Sequence, residues 1–342
     1  MENTDDIKFY FAPLEGITGY IYRNAFHETF GGVDKYFIPF LSPGAKKKLT
    51  EKERNDILPE HNARMCAVPQ ILSKNAADVV NACEMLKSLG YEEVNLNLGC
   101  PSKTVVSKGK GSGFLADTEK LDRFFDEVFS VIGAASSKTE PGTPQNIYPR
   151  ISVKTRLGMD SVEEFADILK VYNRYPLSEL IIHARVQKEF YKGEPHLETF
   201  ADVVNETKHS LCYNGDIWTL QDYIRMRKLF PTITKVMIGR GMMANPELIQ
   251  ELNAYEECRK QGKPWEGYVN SMEQLKKFHD SLLEGYMQQM SGDENNVLFK
   301  MKELWGFLGR QFQEQDKTVK KLVKTTRLKD YEGLAERIFS EK

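Results

Sequence analysis

The 342-residue chain is poor in several features, and each scarcity removes a class of protein. Cysteine occurs five times, at Cys66, Cys83, Cys100, Cys212 and Cys258, an odd number with no C-x-x-C pair. That pattern excludes a disulfide framework and a structural zinc site, and predicts a reducing cytoplasm. No apolar run approaches the roughly 20 residues of a membrane span. The opening MENTDDIKFYFAP has acids where a secretory signal carries bases, so export is not expected. Charge of one sign is also missing: 47 Lys and Arg face 49 Asp and Glu, for a net charge of −2. A global basic signature of nucleic-acid binding is therefore absent, and only a local patch is open. His27, His61, His196, His209 and His279 show no metal-ligand spacing, so no metal is expected.

What remains is ordinary globular composition, 41% hydrophobic with 24 glycines and 14 prolines. Short β-rich segments recur at 9–13, 34–40, 67–72, 93–98, 150–156, 179–184, 211–214 and 234–238. Helix-like stretches lie between them at 18–30, 75–89, 118–132, 161–173, 197–208, 219–230 and 245–256, while Lys-rich 43–60 reads as mostly loop. Successive strand ends lie 25 to 31 residues apart, except for one step of 57 that holds a Gly-rich loop (107–113) and a polar loop (136–147). Eight such units predict a (β/α)8 TIM barrel over residues 1–256, with a doubly wound sheet as the competitor. After a linker near 257–264, proline-free helical periods at 270–290, 295–315 and 317–338 predict an all-helical domain over 264–342.

In a barrel the C-terminal strand ends carry the chemistry. Those positions hold Pro13, Gln70, Asn97 with Cys100, Lys154, His183, Asn214 and Gly239. The glycines of Tyr213-Asn214-Gly215-Asp216 and Ile238-Gly239-Arg240-Gly241 end strands 7 and 8, the frequent phosphate site of such barrels. Gln70 and Lys154 suit an electron-rich planar heterocycle, flavin mononucleotide better than a sugar phosphate; a Schiff-base lysine is the alternative for Lys154. Glycines 109, 111 and 113 do not open a helix directly after a strand, so no dinucleotide fingerprint is read there. Cys100, at a strand end beside amides, reads as nucleophile or proton donor. A thiol with an ordinary pKa of about 8.5 stays largely protonated near neutrality, which favours donation.

The segments APLEGIT with Arg23 after it, EVNLNLGCPSKTV, VKTRLG, IHARVQKEFYKG, NGD and IGRG, in this order over residues 12–241, resemble the tRNA-dihydrouridine synthases. The resemblance implies FMN at the barrel mouth and NADPH-dependent reduction of particular uridines in tRNA, with hydride to C6 and a cysteine proton to C5. Carried over residue by residue, it implies that Pro13, Leu14 and Glu15 line the flavin, Gln70 meets its pyrimidine edge and Lys154 faces the ring. It further implies His183 on ribityl or phosphate, and Asn214, Gly215, Asp216, Gly239 and Arg240 on the phosphate. Cys100 becomes the acid, Asn97 orients the uracil and Arg185 contacts substrate. Leu14 stands where the family usually has Met, and GKGSGFL replaces G-A-G-x-A-L.

Residues 317–329, KTVKKLVKTTRLK, put Lys317, Lys320, Lys321, Lys324 and Arg327 on one face if helical, and with the resemblance this stripe reads as an RNA-binding surface. Lys46, Lys47, Lys48, Lys52 and Arg54 form a second candidate patch. The expectation is a cytoplasmic monomer acting on tRNA, without membrane or metal. Its rivals are a barrel flavoprotein acting on a free pyrimidine or dihydroorotate, and an RNA-binding factor without redox function.

Overall fold

The computed structural model describes residues 6–44, 48–136, 147–290 and 293–340. Eight parallel strands close into a barrel in chain order. They are β1 (Lys8–Phe11), β2 (Lys35–Leu41), β3 (Ala67–Ile71), β4 (Glu93–Leu98), β5 (Arg150–Arg156), β6 (Leu180–His183), β7 (Leu211–Asn214) and β8 (Lys235–Ile238). All eight expected strands are present, so the barrel holds and the doubly wound sheet does not.

The intervening helices are α1 (Tyr20–Thr29), α2 (Glu51–Ile57), α3 (Ala76–Ser88), α4 (Lys103–Val106), α5 (Thr118–Ser136), α6 (Phe165–Tyr172) and α7 (Leu197–Glu206). They are followed by α8 (Leu220–Leu229), α9 (Arg240–Ala244) and α10 (Leu248–Lys260). Helix α2 corrects the reading of 43–60 as mostly loop. Thr50 and Glu53 form a reciprocal capping box, and the Glu53 carboxylate also accepts the Ser42 N–H at 3.0 Å. Asn75 caps α3 and Ser161 with Glu164 caps the turn leading into α6, as their sequence positions indicate. The polar stretch 137–146 lies outside the described residues, as do Lys46 and Lys47.

The C-terminal helices are α11 (Met272–Gln289), α12 (Glu294–Leu308), α13 (Asp316–Leu322) and α14 (Leu328–Ser340). The single helix expected over 317–338 is thus two. The chain turns between them to bury both Leu322 and Tyr331, and Lys302 Nζ meets the Thr325 carbonyl at the break. The stripe is corrected accordingly: Lys317, Lys320 and Lys321 lie on α13, Lys324 follows its end, and Arg327 leads into α14 near Asp330 at 3.9 Å. Lys320 pairs with Asp316 at 2.5 Å.

The chain divides into two compact units. One comprises Lys35–Gly215 with Phe230–Met237. Every residue of its β4 is buried, and Phe125 of α5 packs against Tyr172 at 5.8 Å between ring centroids. At the N-terminal strand ends Lys35 pairs with Glu93 (2.7 Å) and Lys235 with Glu179 (3.0 Å). The other comprises Met1–Asp34, Asp216–Leu229 and Ile238–Lys342. There α11 packs on α1 through Phe278 against Tyr22 and Phe26, at 5.4 and 6.0 Å. A second cluster joins α11, α12 and α14, where the Tyr331 hydroxyl lies 2.6 Å from His279 Nε2 and accepts from Trp305 Nε1 at 2.7 Å. No helix of the described residues is long and apolar enough to cross a membrane.

Candidate active site

In the unit built on β2 to β7, strand register decides which polar groups meet. Gln70 of β3 lies beside Asn95 of β4, and Asn97 beside Lys154 of β5. Asn97 and Gln70 are joined directly, Asn97 Nδ2 donating to Gln70 Oε1 at 2.7 Å, and Gln70 Nε2 donates to Asn95 Oδ1 at 2.9 Å. Asn97 Oδ1 accepts the backbone N–H of Gly99 at 3.1 Å and of Cys100 at 2.9 Å. The amide assigned to a uracil therefore also anchors the loop that carries the thiol.

That loop is held from its other side by the Gly-rich segment. Ser112 donates to the Cys100 carbonyl from both its N–H (3.1 Å) and its hydroxyl (2.9 Å). Gly111 sits at φ +56°, and a Cβ there would come within 2.8 Å of the Cys100 oxygen and 2.9 Å of Val105 Cγ1. The glycines of GKGSG thus allow the segment to close against Cys100. Cys100 is half-buried, whereas Cys83 and Cys212 are buried and their thiols are pushed up by desolvation, Cys83 to about 12.

Lys154 is the electrostatic centre of this group. Among the described residues no carboxylate pairs with it, while burial and then the Arg156 guanidinium push its ammonium down from 10.5 to about 8. Arg156, two residues along the same strand and 1% exposed, was not singled out from sequence, although VKTRLG contains it. It donates to the Gly99 carbonyl (3.0 Å), the Val186 carbonyl (2.9 Å) and the Phe190 carbonyl (2.6 Å), tying the Cys100 loop to the loop after β6. Burial pushes Arg156 down to about 10, with the neighbouring Arg185 acting in the same direction. Phe190 has φ +53°, a conformation few non-glycine residues adopt and one the surrounding contacts must maintain.

His183 and Arg185 end β6. Arg185 is fully buried; its guanidinium donates to the Gly193 carbonyl (2.6 Å) and the Lys192 carbonyl (3.1 Å) and lies 3.3 Å from His183 Nε2. Since a guanidinium only donates, Nε2 is the acceptor. Arg185 therefore shapes its own loop and steadies His183. Tyr191, 52% exposed, lies with its ring under the Arg156 guanidinium (5.4 Å) and 6.0 Å from the His183 ring. Asn214 ends β7 with its amide donating to the Met237 carbonyl at 2.9 Å, and Gly215 follows it.

The remaining predicted residues belong to the other unit. Pro13 and Leu14 are half-buried and Glu15 is exposed, in a turn where Leu14 N–H meets Thr18 Oγ1 at 2.9 Å. Gly239 faces this turn, a Cβ there coming 3.2 Å from Ala12 Cβ and 3.5 Å from Leu14 Cδ1. Arg240 pairs with Asp216 at 2.6 Å, so the carboxylate read as a phosphate contact also orients the guanidinium. Arg240 also lies over the Trp218 ring at 5.1 Å, and Arg310 over the same ring at 4.5 Å. Trp218 stands two residues after NGD and could have been noticed there; Arg310, seventy residues beyond IGRG, carries no local signal. Lys320, Lys321 and Lys324 lie on the tail surface described above, away in sequence from both groups. Among the described residues, no three His, Cys, Asp or Glu side chains are grouped to hold a metal ion.

Residues 10–331 match the family model described as dihydrouridine synthase (Dus). The tRNA-dihydrouridine(16) synthase of Pseudomonas putida is 29% identical over 254 residues, covering 72% of this chain and 74% of that protein. A probable tRNA-dihydrouridine synthase of Staphylococcus aureus is 26% identical over 266 residues, 73% of each chain. Among solved structures, histamine dehydrogenase from Rhizobium sp. 4-9 aligns with a TM-score of 0.53 at 13% identity, over 74% of this chain and 48% of that one, a likeness of fold alone.

Proposed function

The chain belongs to the dihydrouridine synthase family, whose activity is that of an oxidoreductase, tRNA-dihydrouridine synthase; from that premise we propose that it is an FMN-dependent, NADPH-consuming reductase of uridine in tRNA. The observation that carries the cofactor reading is Lys154: a desolvated cation at a strand end, with no carboxylate partner among the described residues, favours a ligand that brings negative charge. The chemistry supplied by a bound flavin is hydride transfer to the electrophilic carbon of a uracil C5=C6 bond.

The chain's residues supply the rest. Lys154 stabilises negative charge on the ring system, and Gln70 offers its remaining amide N–H to a carbonyl edge. Pro13, Leu14 and Glu15 line the cofactor, with His183 on its ribityl chain or phosphate. Asn214 and Gly215 serve the phosphate end, as do Gly239 and Arg240, Asp216 holding the latter in register. Cys100 keeps a proton at Sγ for C5 of the uracil, delivered to the neighbour of the carbon that accepts hydride. Asn97 holds the thiol loop and turns its free N–H toward the base, and Arg185 acts on substrate through the loop it shapes.

The target base must leave the RNA fold to be reached, which costs a few kcal/mol and requires grip elsewhere. Residues 264–342 form the RNA-binding domain in this reading, with Lys320, Lys321 and Lys324 on phosphates. The protein works as a cytoplasmic monomer. The test is dihydrouridine mapping by mass spectrometry in tRNA from cells lacking this protein. Loss of dihydrouridine at one position supports the proposal, position 16 being the one that the names of the Pseudomonas relatives carry. An unchanged dihydrouridine profile refutes it.

A further inference from the structure

The polar side chains inside β3, β4 and β5 form one hydrogen-bonded chain, and the direction of every link is forced. A carboxylate only accepts, so at Glu93, ion-paired with Lys35 at 2.7 Å, the Ser152 hydroxyl donates to Oε1 at 2.9 Å. The Val94 carbonyl at 3.3 Å is likewise an acceptor, so with its single proton engaged by one or the other Ser152 accepts from Asn95 Nδ2 at 3.0 Å. That turns Asn95 Oδ1 to Gln70 Nε2 (2.9 Å), which in turn presents Gln70 Oε1 to Asn97 Nδ2 (2.7 Å). Asn97 Oδ1 is then left facing the Gly99 and Cys100 N–H groups at 3.1 and 2.9 Å.

The opposite end is equally fixed, because a backbone N–H only donates. The two ends demand the same polarity, so no amide along the chain is frustrated. Reversing one would set donor against donor at buried positions, Gln70 being 1% exposed and Asn95 and Ser152 not at all.

We propose that Ser152 and Glu93, at the far end of this chain, are positioning residues for Cys100: they fix the orientation of the Gln70 and Asn97 amides and through Asn97 hold the Gly99–Cys100 backbone. A primary amide has two N–H donors, and the chain uses one from each. The other N–H of Gln70 and of Asn97 takes no part in it. This rests on the reading of Cys100 as the proton donor.

Two readouts on the full-length protein test it: hydrogen exchange at the Gly99 and Cys100 amides, and kcat and KM for tRNA. Ser152→Ala removes the link with little change of shape. Exchange at these two amides should rise about tenfold, the effect of one lost buried hydrogen bond. The kcat should fall with KM for tRNA within about twofold, since grip on the RNA lies elsewhere. Ser152→Thr, which keeps a hydroxyl, should restore both, and Glu93→Ala, which removes the shorter of the two acceptors of the Ser152 hydroxyl, should also loosen the two amides. Parental exchange rates in Ser152→Ala would overturn the proposal, as would failure of Ser152→Thr to restore them at a parental melting temperature. If the parent protein itself reduces no tRNA, the functional reading fails while the exchange data still decide the positioning role.

Discussion

Replacing Lys154 by Met separates the cost of a desolvated cation from its use. The fall of its pKa from 10.5 to about 8 corresponds to about 3 kcal/mol of destabilisation of the folded protein while the group is charged, at about 1.4 kcal/mol per pKa unit. The folded value lies below the unfolded one, so the unfolded chain binds more protons between them and stability rises with pH across that window. Below pH 8 the full penalty is present, and above pH 10.5 both states are neutral and it vanishes. Lys154→Met, close in volume and uncharged, should therefore stabilise the flavin-free protein by about 3 kcal/mol at pH 7 and about 2 kcal/mol at pH 9. Urea unfolding followed by circular dichroism at the two pH values measures this, and FMN titration of the same samples should show weakened binding. Refutation would be a difference between parent and variant that does not change with pH, or a variant less stable at both. Lys154 would then have a partner of its own, and the principal reason for assigning it an anionic ligand would be gone.

Cys100→Ala should retain FMN, seen in its visible spectrum, and lose dihydrouridine formation on tRNA; normal turnover would remove the thiol from the chemistry. Gly111→Ala should destabilise the fold by about 1–3 kcal/mol and depress turnover, because a Cβ at φ +56° meets the Cys100 carbonyl at 2.8 Å. A melting temperature and activity equal to the parent's would show that the Gly-rich segment does not brace the thiol loop. Neutralising Lys320, Lys321 and Lys324 together should weaken tRNA binding and reduce the slope of log K against log salt by up to about 2 to 3. A slope equal to the parent's would leave these lysines a solvated surface, as the Lys320–Asp316 pair already is for one of them.

Much of this molecule is readable in the chain itself. The strand pattern is local: a run such as EVNLNL alternates polar and apolar residues with the period of a strand, and the 25- to 31-residue spacing of most strand ends implies a barrel. The residues at the strand ends follow from counting, which is why sequence alone places Gln70, Asn97, Lys154 and His183 there, with Cys100 just beyond. Local capping was less visible, since Thr50 and Glu53 within a Lys-rich stretch open a helix that composition alone had hidden. The continuous basic helix failed for a different reason: helical period cannot tell that Leu322 and Tyr331 must both reach buried positions, which breaks the helix between them.

Only tertiary structure decided which groups engage one another. Hydrogen bonds and ion pairs depend on distances of a few ångströms between residues far apart in the chain, and composition and spacing do not encode those distances. Thus Asp216 proved to be the partner of Arg240, Arg156 the clamp across three carbonyls, and Arg310 the second guanidinium on Trp218. In the same way, Lys154 reads in sequence as one polar residue among several. Its lack of a carboxylate partner among the described residues, and the depressed pKa that burial imposes, emerge only when β4, β5 and β6 lie side by side.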